Sequence, residues 1–307
     1  MVFDNLILTV ENKGAAYIVL IDPDRLYENS IIERVELANE SNVDALFIGG
    51  SLMMDSKSVK RVKKIQSISN IPVILFPGGV SQLNAYFDAM LFMSFISSRN
   101  PHYLIGEQVI AAPIVKDLNI EAIPTGYILV DGGIRSAAEI ISGARSLPME
   151  KIDIIISHAL AGQYLGMKLI YLEAGSGAKN SVELPIIERI SNEIEIPLVV
   201  GGGINSPHKA EKIVRSGASI VVIGNTIEQD PQKMKEFDKK IKSFLKKKMY
   251  YHKSVKSNTK EGKQIVKKLF FTIKTKPFKH INVSKYNISD IERTICDFIA
   301  GMTDRYA

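Results

Sequence analysis

The chain has 307 residues, 46% hydrophobic and 23% charged, a balance that excludes a disordered chain, and no apolar run approaches the roughly 20 residues of a bilayer span. A single cysteine, Cys296, excludes a disulfide framework, and the opening MVFDNLILTVENK lacks a basic, apolar leader, so a cytoplasmic setting is expected. The net charge of +6 belongs to the end of the chain: residues 242–307 hold 16 Lys and Arg against 5 Asp and Glu, which leaves the remainder at −5 and gives the main domain no nucleic-acid signature.

In chain order, strands are predicted at 16–21 (AYIVLI), 44–49 (DALFIG), 72–76 (PVILF), 89–95 (AMLFMSF), 124–130 (PTGYILV), 168–173 (KLIYLE), 197–202 (PLVVGG) and 218–224 (ASIVVIG). Helical periodicity fills most of the intervals, at 31–41, 56–69, 103–118, 152–166, 183–193, 206–216 and 229–247. Strands apolar on both faces and separated by helices predict a parallel sheet, and eight of them fit a closed (β/α)8 TIM barrel better than a doubly wound sheet. One interval breaks the rhythm. Between 76 and 89 only PGGVSQLNAYFD intervenes, too short after its Pro-Gly-Gly start for a full helix, so the ring has either a gap or a single helical turn after the third strand. The strand–helix alternation stops after Lys247, which predicts a barrel domain at 1–247 and a basic, mainly helical extension at 248–307.

The chemistry of a barrel gathers at the C-terminal ends of its strands. The first strand ends in IDPD and the second in GGS, so Asp22 and Ser51 are candidates to hold Mg²⁺, which takes one or two protein oxygens and fills its shell from phosphate and water. An Asx turn favoured by Pro23 accounts for Asp22 equally well. Arg25 is a candidate diphosphate contact and Asp24 a cap. The sixth strand ends at Glu173, placed to accept a proton from a substrate hydroxyl, with Tyr171 on the same face to bind that substrate. The competing reading is an ion pair between Glu173 and a lysine such as Lys168. GGGIN (201–205) ahead of a helix, and GN (224–225) after the eighth strand, let backbone N–H groups approach an anion where barrels commonly hold phosphate. His102, His158 and His208 have no ligand partners at metal spacing and are expected at the surface or in the core.

IDPDR, IGGS, FPG, AAPIVKDLNIEAIPTGYILVDGG, YLEAGSGA, VVGGGI and IGN, in this order, resemble the geranylgeranylglyceryl phosphate synthase family over residues 1–247. The resemblance implies a modified barrel without its third helix. It also implies Mg²⁺-dependent transfer of a polyprenyl group, geranylgeranyl above all, from its diphosphate to the 3-hydroxyl of sn-glycerol 1-phosphate, giving an ether-lipid precursor. Carried over by motif, Asp22 and Ser51 hold the metal, and Glu173 deprotonates the hydroxyl. Tyr171 binds the glycerol, Leu172 and Ala174 are further substrate-binding positions, and Gly175, Gly202, Gly203, Gly224 and Asn225 cradle the glycerol phosphate. Arg25 departs from the lysine expected there, and arginine has a different reach and geometry. A homo-oligomer and transient contact with a membrane surface are further expectations.

MYYHKSVKSN, EGKQIVKKLF and CDFIAGMTDRYA resemble the C-terminal end of HD-type deoxyguanosinetriphosphate triphosphohydrolases. Neither His252 nor His280 is followed by aspartate, so that family's metal site is not expected. Two other functions compete with prenyl transfer. One is an isomerase or aldolase acting on a small sugar phosphate, which needs no long apolar groove; the other is a binding module whose basic tail docks nucleic acid or membrane.

Overall fold

The apolar runs become eight parallel strands: β1 Ala16–Ile21, β2 Ala45–Ile48, β3 Val73–Leu75, β4 Ala89–Ser94, β5 Glu121–Leu129, β6 Leu169–Glu173, β7 Leu198–Gly201 and β8 Ile220–Ile223. The structure is a computed structural model that describes residues 1–25, 28–241, 266–275 and 291–300. Each strand pairs with the next, and β8 pairs with β1 from Ala16↔Ile220 to Val19↔Ile223, so the sheet closes into a barrel and the doubly wound alternative is excluded.

Strand alternation sorts the core into two layers. Ile18, Phe47, Ile74, Leu91, Leu169 and Tyr171 fill the barrel, while Val19, Leu46, Leu75, Ile170 and Leu172 face the helices. Those helices are α2 Glu28–Glu40, α3 Ser58–Ile68, α4 Glu107–Asp117, the short α5 Ala137–Ser142, α6 Ile152–Tyr164, α7 Leu184–Glu193, α8 Pro207–Arg215, the short α9 Asn225–Gln229 and residues 233–241. The predicted helix at 229–247 is thus interrupted: α9 stops at Asp230, Pro231 follows it, and residues 242–247 lie outside the described part.

One feature departs from the sequence reading. An unpredicted helix, α1 Val2–Lys13, packs Val2, Phe3, Leu6 and Val10 on the inner barrel layer. Its N-terminal residue Met1 offers no side-chain cap; the Glu121 carboxylate accepts the backbone N–H groups of Val2 and Phe3 instead. β5 starts at Glu121 rather than at Pro124, since Glu121 already pairs with Ala89 of β4. The short interval after β3 contains a three-residue 3₁₀ turn, Val80–Gln82, where a full barrel has a helix.

The chain divides into two compact units, Met1–Leu245 and Lys246–Ala307. In the second, helical residues 266–275 and Ile291–Ala300 bury Ile273 and Ile295 with Phe270, Phe298 and Ile299, and Lys274 pairs with Glu292. His252 and His280 lie outside the described residues. Among the described residues no helix is long and apolar enough to cross a membrane.

Candidate active site

Glu173, the last residue of β6, points into the barrel mouth and is only 7% exposed. Space for its carboxylate exists because β7 ends in glycine. A side chain at Gly201 would start 2.6 Å from Glu173 Oε2, and one at Gly202, whose φ is +80°, would start 2.4 Å from Oε1. The Gly175 N–H donates to Oε1 at 2.7 Å. Burial pushes the carboxyl up to about 7, opposed by the Gly175 hydrogen bond and by the neighbouring Tyr171 hydroxyl. A carboxyl of that basicity is half ionised near neutral pH, where a general base works best. Lys168, the alternative partner, sits at the other end of β6 with its ammonium 5.2 Å from the centre of the Phe3 ring, so the ion-pair reading fails.

Tyr171 lies one inward position below Glu173, in an aromatic floor with Phe76 and Tyr127 at ring distances of 5.3 and 5.6 Å. Its hydroxyl adjoins the carboxylate without reaching hydrogen-bond geometry and remains a buried polar atom with no partner. Burial, and then the charge of Glu173, hold the phenol well above its usual range, so it stays a donor. An unmet buried hydroxyl is destabilising by about 1–3 kcal/mol. Tyr171→Phe is therefore expected to raise the melting temperature by a few degrees and to weaken glycerol phosphate binding, measured as a rise in KM. Tyr127 was not singled out in the sequence; only its inward register beside Tyr171 reveals it.

The glycine loops meet above this floor. Ser176, after β6, donates to Asn225 Oδ1 at 3.1 Å, and Thr226 donates to the Ile204 carbonyl at 2.9 Å, tying the loops after β6, β7 and β8 together. Gly202, Gly203, Gly224 and Asn225 line the same cavity as Glu173 and Tyr171. The side chains of Leu172 and Ala174 belong to the layer between barrel and helices, because alternate strand positions face outward, so these two residues can offer a substrate only their backbone. A residue the sequence reading passed over supports the β8 loop from behind. Arg34 of α2 is buried and donates to the Glu228 carbonyl at 2.6 Å, at the end of α9.

On the opposite rim, Ser51 lines the cavity, and the Asp22 carboxylate lies against the Gly50 backbone, 2.5 Å from where a side chain at Gly50 would begin. Asp22 Oδ1 accepts the Asp24 N–H at 3.1 Å, so the Asx turn is formed. Asp24 accepts the Met54 N–H at 2.7 Å and pairs with Arg61 at 3.0 Å, fastening the β1 loop to the β2 loop. Gln82 does the same for the next loop, donating to the Gly50 carbonyl and accepting from the Gly78 N–H, both at 2.8 Å. The side chain of Arg25 lies outside the described residues. His102 pairs with Glu107 at 2.8 Å, His158 contacts the Ile154 carbonyl at 2.7 Å and His208 adjoins Glu211 at 3.5 Å; among the described residues no three His, Cys, Asp or Glu converge.

The cavity is continuous, with a volume of about 340 Å³. Its lining joins Glu173 and Asn225 to an apolar arm of Phe76, Val80, Leu83, Met90, Phe92 and Ala111 of α4, beside Glu107 and Gln108. This arm opens where the 3₁₀ turn replaces the third helix.

Residues 8–248 match the PcrB family, and residues 229–307 match a phosphohydrolase-associated domain. The two matches share the helix at 233–241, whose Met234, Phe237 and Ile241 are buried in the outer layer of the barrel. Among curated relatives, the geranylgeranylglyceryl phosphate synthase of Chitinophaga pinensis is 40% identical over 72% of this chain and 88% of its own. That of Methanopyrus kandleri is 38% identical over 76% of this chain and 98% of its own. Among solved structures, (S)-3-O-geranylgeranylglyceryl phosphate synthase from Thermoplasma acidophilum, in complex with its substrate sn-glycerol-1-phosphate, matches with a TM-score of 0.74 at 30% identity, over 79% of this chain and 98% of that one.

Proposed function

The chain belongs to the PcrB family, and from that premise we propose that it joins a polyprenyl diphosphate to the 3-hydroxyl of sn-glycerol 1-phosphate, with Glu173 as the base. The enzyme is a prenyltransferase, and its product is an ether-lipid precursor. The observation that carries this reading is the continuity of the cavity: a buried carboxylate and glycine-lined loops at one end open directly into an apolar arm at the other. A small sugar phosphate would leave that arm empty, which disfavours an isomerase or aldolase.

In the reaction, the glycerol oxygen forms a bond to the first carbon of the prenyl chain as the bond from that carbon to the diphosphate breaks. The diphosphate leaves with the electron pair, and the hydroxyl proton passes to Glu173. Tyr171 donates to the glycerol and so satisfies its own hydroxyl. Gly202, Gly203, Gly224 and Asn225 surround the phosphate, and the aromatic floor and apolar arm exclude water from the prenyl chain. Gly175 fixes the carboxylate through its N–H. Asp22 and Ser51 fit Mg²⁺, because one carboxylate and one hydroxyl make a hard-oxygen pair too sparse to enclose an ion without substrate phosphates. When bound there, the ion supplies neutralisation of the diphosphate charge.

The decisive test is transfer of labelled sn-glycerol 1-phosphate into the organic phase with prenyl diphosphates of several lengths. No transfer with any donor, from folded protein, overturns the reading. Because the base must be ionised to act, kcat/KM is expected to rise with pH through about 7, the value to which burial brings Glu173, and to level off above it. A profile flat from pH 5 to 8 removes Glu173 as the base.

A further inference from the structure

The loop leaving β2 presents three consecutive apolar side chains to solvent: Leu52, Met53 and Met54 are 56%, 40% and 71% exposed. Single exposed apolar residues are ordinary; a run of three immediately after Ser51, at the mouth of the catalytic cavity, is not. The backbone beneath them is fastened. The Met54 N–H reaches Asp24 at 2.7 Å, and Arg61 bridges Asp24 at 3.0 Å and Asp55 at 2.8 Å. These contacts hold the loop outward, and they pair the two carboxylates that flank it with a guanidinium.

The surrounding charge is predominantly positive. Residues 51–64 contain five Lys and Arg against one Asp, on a barrel whose residues 1–241 are net negative. Lys57 and Lys60, at the start of α3, are exposed beside the apolar run. Apolar side chains at the tip of a fixed loop, followed by the exposed Lys57 and Lys60, match the interface of an anionic bilayer, where apolar groups enter the acyl boundary and ammonium groups meet lipid phosphates.

We propose that this loop docks the enzyme on an anionic membrane surface, with Leu52, Met53 and Met54 inserted and Lys57 and Lys60 on the headgroups. The proposal rests on the prenyl-transfer reading, since a long-chain prenyl diphosphate and its lipid product both partition into a bilayer. Docking there turns the cavity mouth beside Ser51 toward the phase that holds the donor and takes up the product.

The chain contains no tryptophan, so Met53→Trp in the full chain is a clean reporter. With phosphatidylcholine vesicles containing phosphatidylglycerol, its emission is expected to shift to the blue and to be quenched by acyl chains carrying bromine, whereas Leu165→Trp, on an exposed side chain after α6, stays unchanged. If the protein sediments with the vesicles while Trp emission from position 53 keeps its value in water, the lysine-rich second unit makes the contact and the proposal is overturned. A second arm combines Leu52→Ser, Met53→Ser and Met54→Ser. Transfer from vesicle-borne geranylgeranyl diphosphate is expected to fall by at least about tenfold, a small part of what three apolar side chains fully inserted in the bilayer contribute. Transfer from water-soluble geranyl diphosphate remains at the wild-type rate. Equal rates on vesicles sink the docking surface. Failure of the wild type with both donors sinks the prenyl-transfer reading instead, and the fluorescence arm still decides whether the loop enters a membrane.

Discussion

Glu173→Gln is expected to lower kcat by about 10²–10⁴-fold, the usual contribution of a positioned base, while glycerol phosphate still binds. Glutamine keeps the shape of the side chain and retains an oxygen for the Gly175 N–H, so the loop after β6 holds its place. What it cannot do is accept the hydroxyl proton. The same substitution has a second signature in stability. Burial raises the folded-state carboxyl from 4.5 to about 7, so the folded protein keeps this proton where the unfolded chain has lost it. The stabilisation from the neutral form is therefore full below about 4.5 and is lost as pH rises toward and through 7. At about 1.4 kcal/mol per pH unit over that interval, the wild type gives up on the order of 3 kcal/mol. Glutamine carries no such charge. Thermal melts at pH 5 and pH 8 should show Glu173→Gln gaining on the wild type mainly at pH 8, and an equal difference at both values would contradict the buried-carboxyl account. Kinetics and melts together separate a catalytic role from a structural one, because the variant is slower and yet more stable.

The second large effect is expected at Gly202. Its backbone adopts φ +80°, and an added Cβ would start 2.4 Å from Glu173 Oε1 and 2.8 Å from the nitrogens of Ala174 and Gly175. Two of those three atoms are backbone, so the strain is relieved only by moving the β6 loop or expelling the carboxylate. Gly202→Ala should therefore cut kcat/KM by more than about 10²-fold, the scale for a catalytic group displaced by an ångström. Gly166 supplies the control. Its φ of +87° imposes the same left-handed strain, but nothing lies within 4 Å of the added carbon. Gly166→Ala is expected to destabilise by about 1–2 kcal/mol and to leave turnover intact. If both variants lose stability equally and neither loses activity, the contact between Gly202 and Glu173 does not matter to the chemistry.

Much of this site was readable from residue order because barrel chemistry is confined to strand ends, and strand ends show themselves as a switch from apolar runs to Asp, Ser, Glu and Gly. Asp22, Ser51, Glu173 and the glycines of the seventh loop were singled out that way. The outward turn of the Leu172 and Ala174 side chains follows from strand alternation, which leaves only their backbone to face the mouth. Helix α1 went unread for a different reason. Its amino terminus lacks a local cap, and the residue that supplies one, Glu121, is 119 positions away.

By itself the sequence determined the eight-strand rhythm, the break after the third strand, the basic character of the last 66 residues and the kind of chemistry at each strand end, since all of these are local patterns of apolar, charged and glycine residues. Only the tertiary structure decided that Glu173 titrates near neutrality, that Tyr171 keeps an unmet hydroxyl, that Asp24 serves Arg61 and Met54, and that the polar end and the apolar arm form one cavity. Each of these depends on which distant segments exclude water from a group or supply its partner, and closure of the barrel, which brings β8 back to β1, is what sets those distances.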